Sequence, residues 1–502
     1  MSYESANPKP SALVESLRSV GYSLSTAIAD VMDNSITAGA NNIWVKFHWD
    51  GLGSHVSILD DGCGMNENVL KEAMRPGTTS PTEQRGKSDL GRFGLGLKTA
   101  SFSQCRQLTV WSKSEGGRIC GRRWDLDYVV KKNEWLLQKD LDQPRLDSFA
   151  DLGRLRSGTL VIWEKVDRVI EEGMPPEEVQ QKFLQQINEV RSYLEMIFHR
   201  YLAGKSVGRR GRPLNIYVNG NLLHEWDPFS AGKSAMPEAS PIEEIEYKGQ
   251  RVRLQGFVMP HKDRLDDKDY LHAGGPRGWI AQQGFYIYRN GRILLAGDWL
   301  GLGRGGKAWV KEEQYKLARL SIDIGNEMDL DWSLDVKKST ARPPLALRER
   351  LTGIAETQRK RAKAVFLYRG AYGPRPTTPQ DIERPWLPRI RAGNIVYKVN
   401  RKHPLINGVL QRLGPLVEEV ESLLRLIEET VPVQRIWIDV AESGCDPAIP
   451  YEGLSESELF TDMKKTYEFL RNRALDHESA IACLLSAEPF NRYPDLIDRL
   501  NP

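Results

Sequence analysis

The chain has 502 residues, 40% apolar and 27% charged, which gives room for about three domains at ~150 residues each and is too apolar for global disorder. No run approaches ~18 uninterrupted apolar residues, which argues against a membrane span. The net charge of +3 conceals a division: residues 410–502 hold nine Lys and Arg against eighteen Asp and Glu, a net −9, leaving +12 on residues 1–409, and a basic body permits a nucleic-acid surface without establishing one.

The opening residues have no basic stretch followed by an apolar one, so no secretory leader is expected. Residues 11–36 carry Leu13, Leu17, Leu24, Ala27, Ile28 and Val31 at helical spacing and predict a helix. Strands are predicted at 42–48 and 55–59, the second ending at Asp60-Asp61-Gly62. A short helix follows at 66–75. The polar stretch 76–90 is long for a connector and reads as a lid or a disordered segment. Strands at 107–112 and 159–164 precede a long helix at 176–203.

The basic turn 205–213 marks a boundary. Beyond it, Asn219-Gly220 and Asn290-Gly291 each sit between apolar runs and signal hairpins. The predicted domains are therefore 1–203, an α+β domain at 204–345, a basic helix and proline-rich linker at 346–390, and a mostly helical region at 391–502. That last region has helices at 414–429 and 455–474 and a strand-like run at 436–440. Cys63, Cys105, Cys120, Cys445 and Cys483 are odd in number and lack metal-ligand spacing, which fits a reducing, cytoplasmic setting.

Three separated motifs carry the chemistry. Asp30, Asp33 and Asn34 are related by i, i+3 and i+4 and share one helical face, where an Asn with two carboxylates can set a Mg²⁺ ligand beside a base. Residues 60–65, Asp-Asp-Gly-Cys-Gly-Met, follow a strand directly. A carboxylate there can accept from an exocyclic amine, while Gly62 and Gly64 let backbone approach a flat ring. Residues 91–101, GRFGLGLKTAS, are glycines leading into a helix start, where exposed N–H groups and Lys98 suit phosphate. Their spacing is neither the P-loop nor the dinucleotide fingerprint.

In order and spacing, these motifs resemble the GHKL ATPase superfamily of gyrase B, MutL, the ninety-kilodalton heat-shock chaperones, histidine kinases and MORC proteins. Residues 16–40 and 91–101 look most like the MutL/MORC branch, and Ser157-Gly158-Thr159 is similar to the family's last nucleotide-site motif. The resemblance implies an α/β sandwich ATPase domain followed by a transducer-type α+β domain, with ATP and Mg²⁺ as cofactors. Asn34 would coordinate Mg²⁺, and Asp60 would bind the adenine amine supported by Gly62, Gly64 and Thr159. The backbone at Gly94 and Gly96, with Lys98, would hold phosphates. Asp33, Met65, Leu95, Leu97 and Thr99 complete the implied nucleotide set. Asp30 stands where the family usually has a catalytic Glu, one methylene shorter, which leaves turnover less secure than binding.

Residues 284–294 resemble the transducer strand pair, and residues 334–340 occupy the place of the loop whose Lys reaches the γ-phosphate. Lys338 is the better candidate there and Lys337 the second. The resemblance covers roughly residues 10–345. It implies an ATP-gated clamp that dimerises through its N-terminal domains and acts on DNA or a DNA-processing partner, similar to members of prokaryotic defence systems that accompany nucleases or helicases. Basic residues at 205–213, 359–363 and 389–402 are the candidate DNA contacts. The competing reading is a nucleotide-gated scaffold or chaperone-like protein with little hydrolysis. A histidine-kinase role is disfavoured because the nucleotide motifs begin so early in the chain.

Overall fold

The computed structural model describes residues 8–19, 21–76, 96–170, 175–206, 211–232, 234–329, 331–333, 341–367, 384–391, 394–433, 435–436, 455–472, 475–487 and 489–500. All but the first residue of the stretch 76–90, Gly94, Leu95, Lys337, Lys338, Arg209, Arg210 and most of the strand-like run 436–440 lie outside them. The chain divides into two compact units, Met1–Leu367 and Tyr368–Pro502.

The helix expected over 11–36 is two helices, α1 (Pro10–Arg18) and α2 (Leu24–Thr37). The break has local causes. Gly21 takes a positive φ of 78°, and Ser23 caps α2 by accepting from the Thr26 amide. The strands β1 (Asn42–His48) and β2 (His55–Asp60) form a hairpin, followed by α3 (Glu67–Met74) and α4 (Gly96–Phe102). Next come β3 (Gln107–Lys113), β4 (Cys120–Asp125), α5 (Leu126–Lys132), α6 (Asp147–Arg154) and β5 (Gly158–Glu164). The long helix is α7 (Pro176–Ile197) with a short α8 (His199–Leu202).

The Asn219-Gly220 hairpin, β6 (Asn215–Val218) and β7 (Asn221–Leu222), belongs to this first sheet rather than to a second domain. β6 pairs in parallel with β1, giving the order β4-β3-β5-β2-β1-β6-β7. The sheet therefore extends past the expected boundary at 203. Both turn residues have positive φ, 46° and 81°, as a tight hairpin turn requires. α2 sets Ala27, Ile28, Val31 and Met32 into the main core on one face of the sheet. On the other face, Leu152 of α6 packs with Trp111, Leu160 and Ile162.

The second sheet comprises β8 (Glu238–Ala239), β9 (Glu243–Tyr247) and β10 (Gln250–Val258), then, past α9 (Asp267–Gly274) and α10 (Gly278–Ala281), the hairpin β11 (Gly284–Arg289) and β12 (Arg292–Asp298). A two-residue ribbon, β13 (Gly303–Arg304) and β14 (Lys307–Ala308), precedes β15 (Ala318–Ile324). The order is β12-β11-β15-β10-β8, with β9 also on β10.

Strand β11 is buried at every position, and its alternation explains why the two sheets belong to one unit. Phe285 and Ile287 face the second core, whereas Tyr286 and Tyr288 join the core of the first sheet. The helix α11 (Leu345–Leu367), expected as part of a linker, buries Leu347, Leu351, Ala355 and Ala362 in the second core. Deep in this unit, Arg319 donates to the carbonyls of Pro228 and Ala273 between the rings of Trp226 and Trp279.

In Tyr368–Pro502 a hairpin, β16 (Trp386–Arg391) and β17 (Asn394–Val399), begins inside the expected linker. The helices α12 (Pro404–Arg412), α13 (Val417–Glu429), α14 (Glu456–Arg471) and α15 (His477–Ser486) follow. Leu459, Met463 and Tyr467 of α14 and Ala480 and Leu484 of α15 form a core, against which Leu405 of α12 packs. Ile436 closes a helical turn onto Pro432, not a strand. None of the described helices is long and apolar enough to cross a membrane.

Arg319→Met removes two donors from buried carbonyls at similar volume. It is expected to destabilise the 1–367 unit by about 2 kcal/mol or more, read as an earlier urea transition in the full chain. An unchanged midpoint would show that the guanidinium is dispensable.

Candidate functional site

Strand register brings the separated motifs together. Asp60 ends β2 opposite Thr159 of β5, and Thr159 is opposite Ser112 of β3, so the three residues form one row across adjacent strands. Asp60 is only 5% exposed. Its Oδ2 accepts from the Ser35 hydroxyl of α2 at 2.7 Å, its Oδ1 accepts from the Gly62 amide at 2.9 Å, and the Thr159 backbone also donates to it. Ser112 Oγ lies 2.9 Å from Thr159 Oγ1 and accepts from the Met65 amide at 2.8 Å. Ser157 donates to the Gly62 carbonyl. Asp61 does something else: it accepts from the amides of Asn41 and Asn42 and from the Asn42 side chain, fixing the start of β1.

The two glycines after Asp60 are demanded by the packing of the protein itself. A Cβ on Gly64, at φ 63°, would sit 2.0 Å from the Lys113 carbonyl oxygen, and one on Gly62 would sit 2.8 Å from the Ala38 Cβ. Burial drives the Asp60 carboxyl up to about 6 from its ordinary 3.8, against the lowering effect of its Ser35, Gly62 and Thr159 donors.

The acidic face of α2 splits in two. Asp30 and Asp33 are buried, while Asn34 is exposed and donates to the Asp30 carbonyl at 3.3 Å. The buried pair meets Arg292, which opens β12 in the second sheet and is 1% exposed. Arg292 Nη2 lies 3.2 Å from Asp30 Oδ1, and Nε lies 2.6 Å from Asp33 Oδ1. Burial opposes the Arg292 charge, but Asp33 and Asp30 outweigh it and hold the guanidinium above its ordinary range. Tyr22 donates to Asp30 Oδ2 at 3.0 Å and also bonds Thr99 of α4. Burial and the neighbouring Asp30 keep that phenol protonated.

Lys98 is also buried. Its ammonium donates to the Ala73 carbonyl at the end of α3, 2.9 Å away, and burial lowers it to about 8. Leu97 packs against the main core, and nothing within 4 Å would obstruct a Cβ on Gly96. Asp30, Asp33, Asn34, Asp60, Gly62, Gly64, Met65, Gly96, Leu97, Lys98, Thr99 and Thr159 thus come from α2, α4, the end of β2 and the start of β5. Sequence reading passed over Ser35, Ser112, Tyr22 and the pairing of Arg292 with Asp30 and Asp33. Ser35 adjoins Asn34 in the first motif and Tyr22 lies just before α2, whereas Ser112 needed strand register and Arg292 the meeting of two sheets.

The basic clusters are less available than their sequences suggest. Arg359 is buried, with its guanidinium 3.6 Å from the Tyr315 ring centroid and 4.7 Å from those of Trp299 and Trp309. Lys398 pairs with Glu428 and Glu429 at 3.0 and 2.8 Å, and Arg401 pairs with Glu421 and Glu428. These cations neutralise the acidic helix α13. Lys205, Arg212, Lys360, Arg389 and Lys402 are exposed.

Replacing the buried carboxyl by an amide should stabilise the chain. Because Asp60 titrates higher folded than unfolded, the wild type loses stability as pH rises from about 4 through 6. Asp60→Asn is therefore expected to be more stable than wild type by about 1–3 kcal/mol at pH 8, with no gain at pH 4. Urea transitions at both pH values check this, and an advantage independent of pH would contradict it.

Residues 22–159 match the family model of the Histidine kinase-, DNA gyrase B-, and HSP90-like ATPase. The chain is similar to the DNA mismatch repair protein MutL of Thermoanaerobacter sp. (strain X514), 31% identical over 91 residues that cover 18% of this chain and 15% of that protein. It is also similar to MutL of Rhizorhabdus wittichii, 30% identical over 106 residues covering 21% and 18%, and to MutL of Caulobacter vibrioides, 31% identical over 99 residues covering 18% and 15%. The matches thus span less than a fifth of these relatives.

Proposed function

We propose, from the premise that the N-terminal domain is a GHKL-superfamily ATPase domain of the MutL-like branch, that this chain is an ATP- and Mg²⁺-dependent conformational switch acting on DNA or a DNA-processing partner. The observation that carries the reading is the convergence on Asp60. A carboxylate kept buried, fixed by Ser35 of one motif and opposite Thr159 of another, suits an exocyclic amine. Asp60 takes the adenine amine, Lys98 and the backbone at 94–97 take phosphates, and Lys338, with Lys337 second, reaches the γ-phosphate.

Mg²⁺ fits the donors available. Among the described residues there is no cluster of three or more His, Cys, Asp or Glu that could hold a metal alone. The exposed Asn34 offers an amide oxygen, and Mg²⁺ commonly takes one or two protein ligands plus substrate phosphates. When bound, the ion neutralises phosphate charge. Asp30 is the base that accepts a proton from the attacking water.

Nucleotide binding closes two copies into a clamp through their N-terminal domains. The likeness to MutL and the +12 on residues 1–409 support DNA as the object. The clamp acts in a prokaryotic DNA-defence system beside a nuclease or helicase. A second reading, a nucleotide-gated scaffold with little hydrolysis, draws support from Asp30 already accepting from Tyr22 and pairing with Arg292.

Asp30→Asn is expected to cut steady-state ATP turnover at least a hundredfold while ATP affinity stays within threefold; full activity would remove Asp30 from the base role. On sizing chromatography, a non-hydrolysable ATP analogue with Mg²⁺ should shift the wild type to a dimer, and a persistent monomer would sink the clamp. DNA binding should weaken steeply with salt. Lys205→Glu with Arg212→Glu should weaken it tenfold or more, whereas Lys398→Gln should leave it within twofold; the reverse ranking would place DNA elsewhere.

A further inference from the structure

The contact between the two sheets holds a group that the nucleotide reading leaves unassigned. The guanidinium of Arg292 is carried by the second sheet and clamps both buried carboxylates of α2, the helix that also presents Asn34 one turn beyond Asp30. Other bonds between the sheets end elsewhere. Arg200 of α8 pairs with Asp323 and lies over the Tyr288 ring, Tyr201 donates to the Asn290 carbonyl, and His199 bonds the Tyr288 hydroxyl. All three are on α8. Arg292 reaches past them to α2 itself.

We propose that Arg292 is a positioning residue that ties the placement of α2 to the second sheet, so that a nucleotide-driven movement of one moves the other. The proposal rests on the nucleotide reading of the same site. Its physical basis is the cost of letting go. Separating Arg292 from Asp30 and Asp33 strands unpaired charge in a dry contact, because all three are nearly or fully inaccessible and Phe198 covers the guanidinium at 5.7 Å. A shift of α2 therefore carries β12 along rather than breaking the bridge. The hairpin is a suitable receiver: β11, its partner, contributes side chains to both cores.

The bridge also bears on the base. Asp30 Oδ2 accepts from Tyr22, whose hydroxyl also bonds Thr99 of α4, and Asp30 Oδ1 pairs with Arg292. Asp30 is thus placed by three elements at once: the turn before α2, the glycine-led helix α4 and the second sheet. A Lys at 292 keeps the charge but offers a single point of contact, and cannot span Nη2 to Asp30 and Nε to Asp33 together.

The test is hydrogen–deuterium exchange of the full chain with and without Mg²⁺ and a non-hydrolysable ATP analogue, following peptides that cover 24–37 and 284–298. In wild type, both regions should slow by at least threefold on binding. In Arg292→Lys, analogue affinity should stay within threefold and 24–37 should still respond, but the response of 284–298 should fall at least by half. Arg200→Lys, at a bond ending on α8, should retain it.

An unchanged 284–298 response in Arg292→Lys, or an absent one in wild type that does bind, overturns the coupling role. An absent wild-type response overturns the role even where Arg292→Lys fails to fold, and Arg292→Gln then carries the other half of the test. Failure of the wild type to bind the analogue would instead overturn the nucleotide reading, and this inference with it.

Discussion

The structure depends on a carboxylate that folding has to bury. Asp60 stands at the end of β2, where a charged group gives up its hydration, and its rise to about 6 is what remains of that loss after its Ser35, Gly62 and Thr159 donors have offset part of it. A shift of that size corresponds to about 3 kcal/mol, a large fraction of a domain's net stability. The surrounding elements are built to accommodate it. Ser35 arrives from α2, Gly62 turns its amide back, and β5 is registered so that Thr159 lies alongside. Around this point Gly64 and Gly158 are held to glycine because a Cβ at either would strike backbone oxygen. A position so costly and so closely supported is where a ligand-binding role is expected to reside.

The second dependence is between sheets. Strand β11 divides its side chains between two cores, and Arg292 extends the second sheet's reach to α2. The residues that flank the candidate phosphate region are therefore not set by the first sheet alone. Lys98 shows the same principle locally: its ammonium closes the end of α3 rather than pointing into open solvent, so α3 and α4 are joined through a group expected to meet phosphate. Charge inside this protein is used between elements, and each such link is a place where binding can be felt at a distance.

Local features were well represented in the sequence. The alternation in 42–48, the apolar run 55–59, the long amphipathic stretch of α7 and both Asn-Gly hairpins are short-range patterns, and each folds as its local sequence dictates. The row Asp60–Thr159–Ser112 was only partly legible, since Ser112 joins it through strand register, which one sequence does not state. The split of the acidic face was hidden for a related reason. Helical spacing sets Asp30, Asp33 and Asn34 side by side, but only the arrival of Arg292 decides that the two carboxylates turn inward and the amide outward. Charge counting misled where cations are paired: Lys398 and Arg401 look like a nucleic-acid surface in sequence, yet they answer the glutamates of α13. The N-terminal helix was read as continuous because its apolar spacing runs through Gly21, whose positive φ breaks it.

The most direct measurement is a calorimetric titration of the full chain with ATP and, separately, GTP in the presence of Mg²⁺. Guanine presents a carbonyl oxygen where adenine presents its amine, so a fixed, buried carboxylate at Asp60 should accept one and repel the other. Saturable ATP binding is expected, with GTP at least a hundredfold weaker. Equal affinity for the two nucleotides, or no binding of ATP, would contradict the role of Asp60 as the adenine-binding carboxylate.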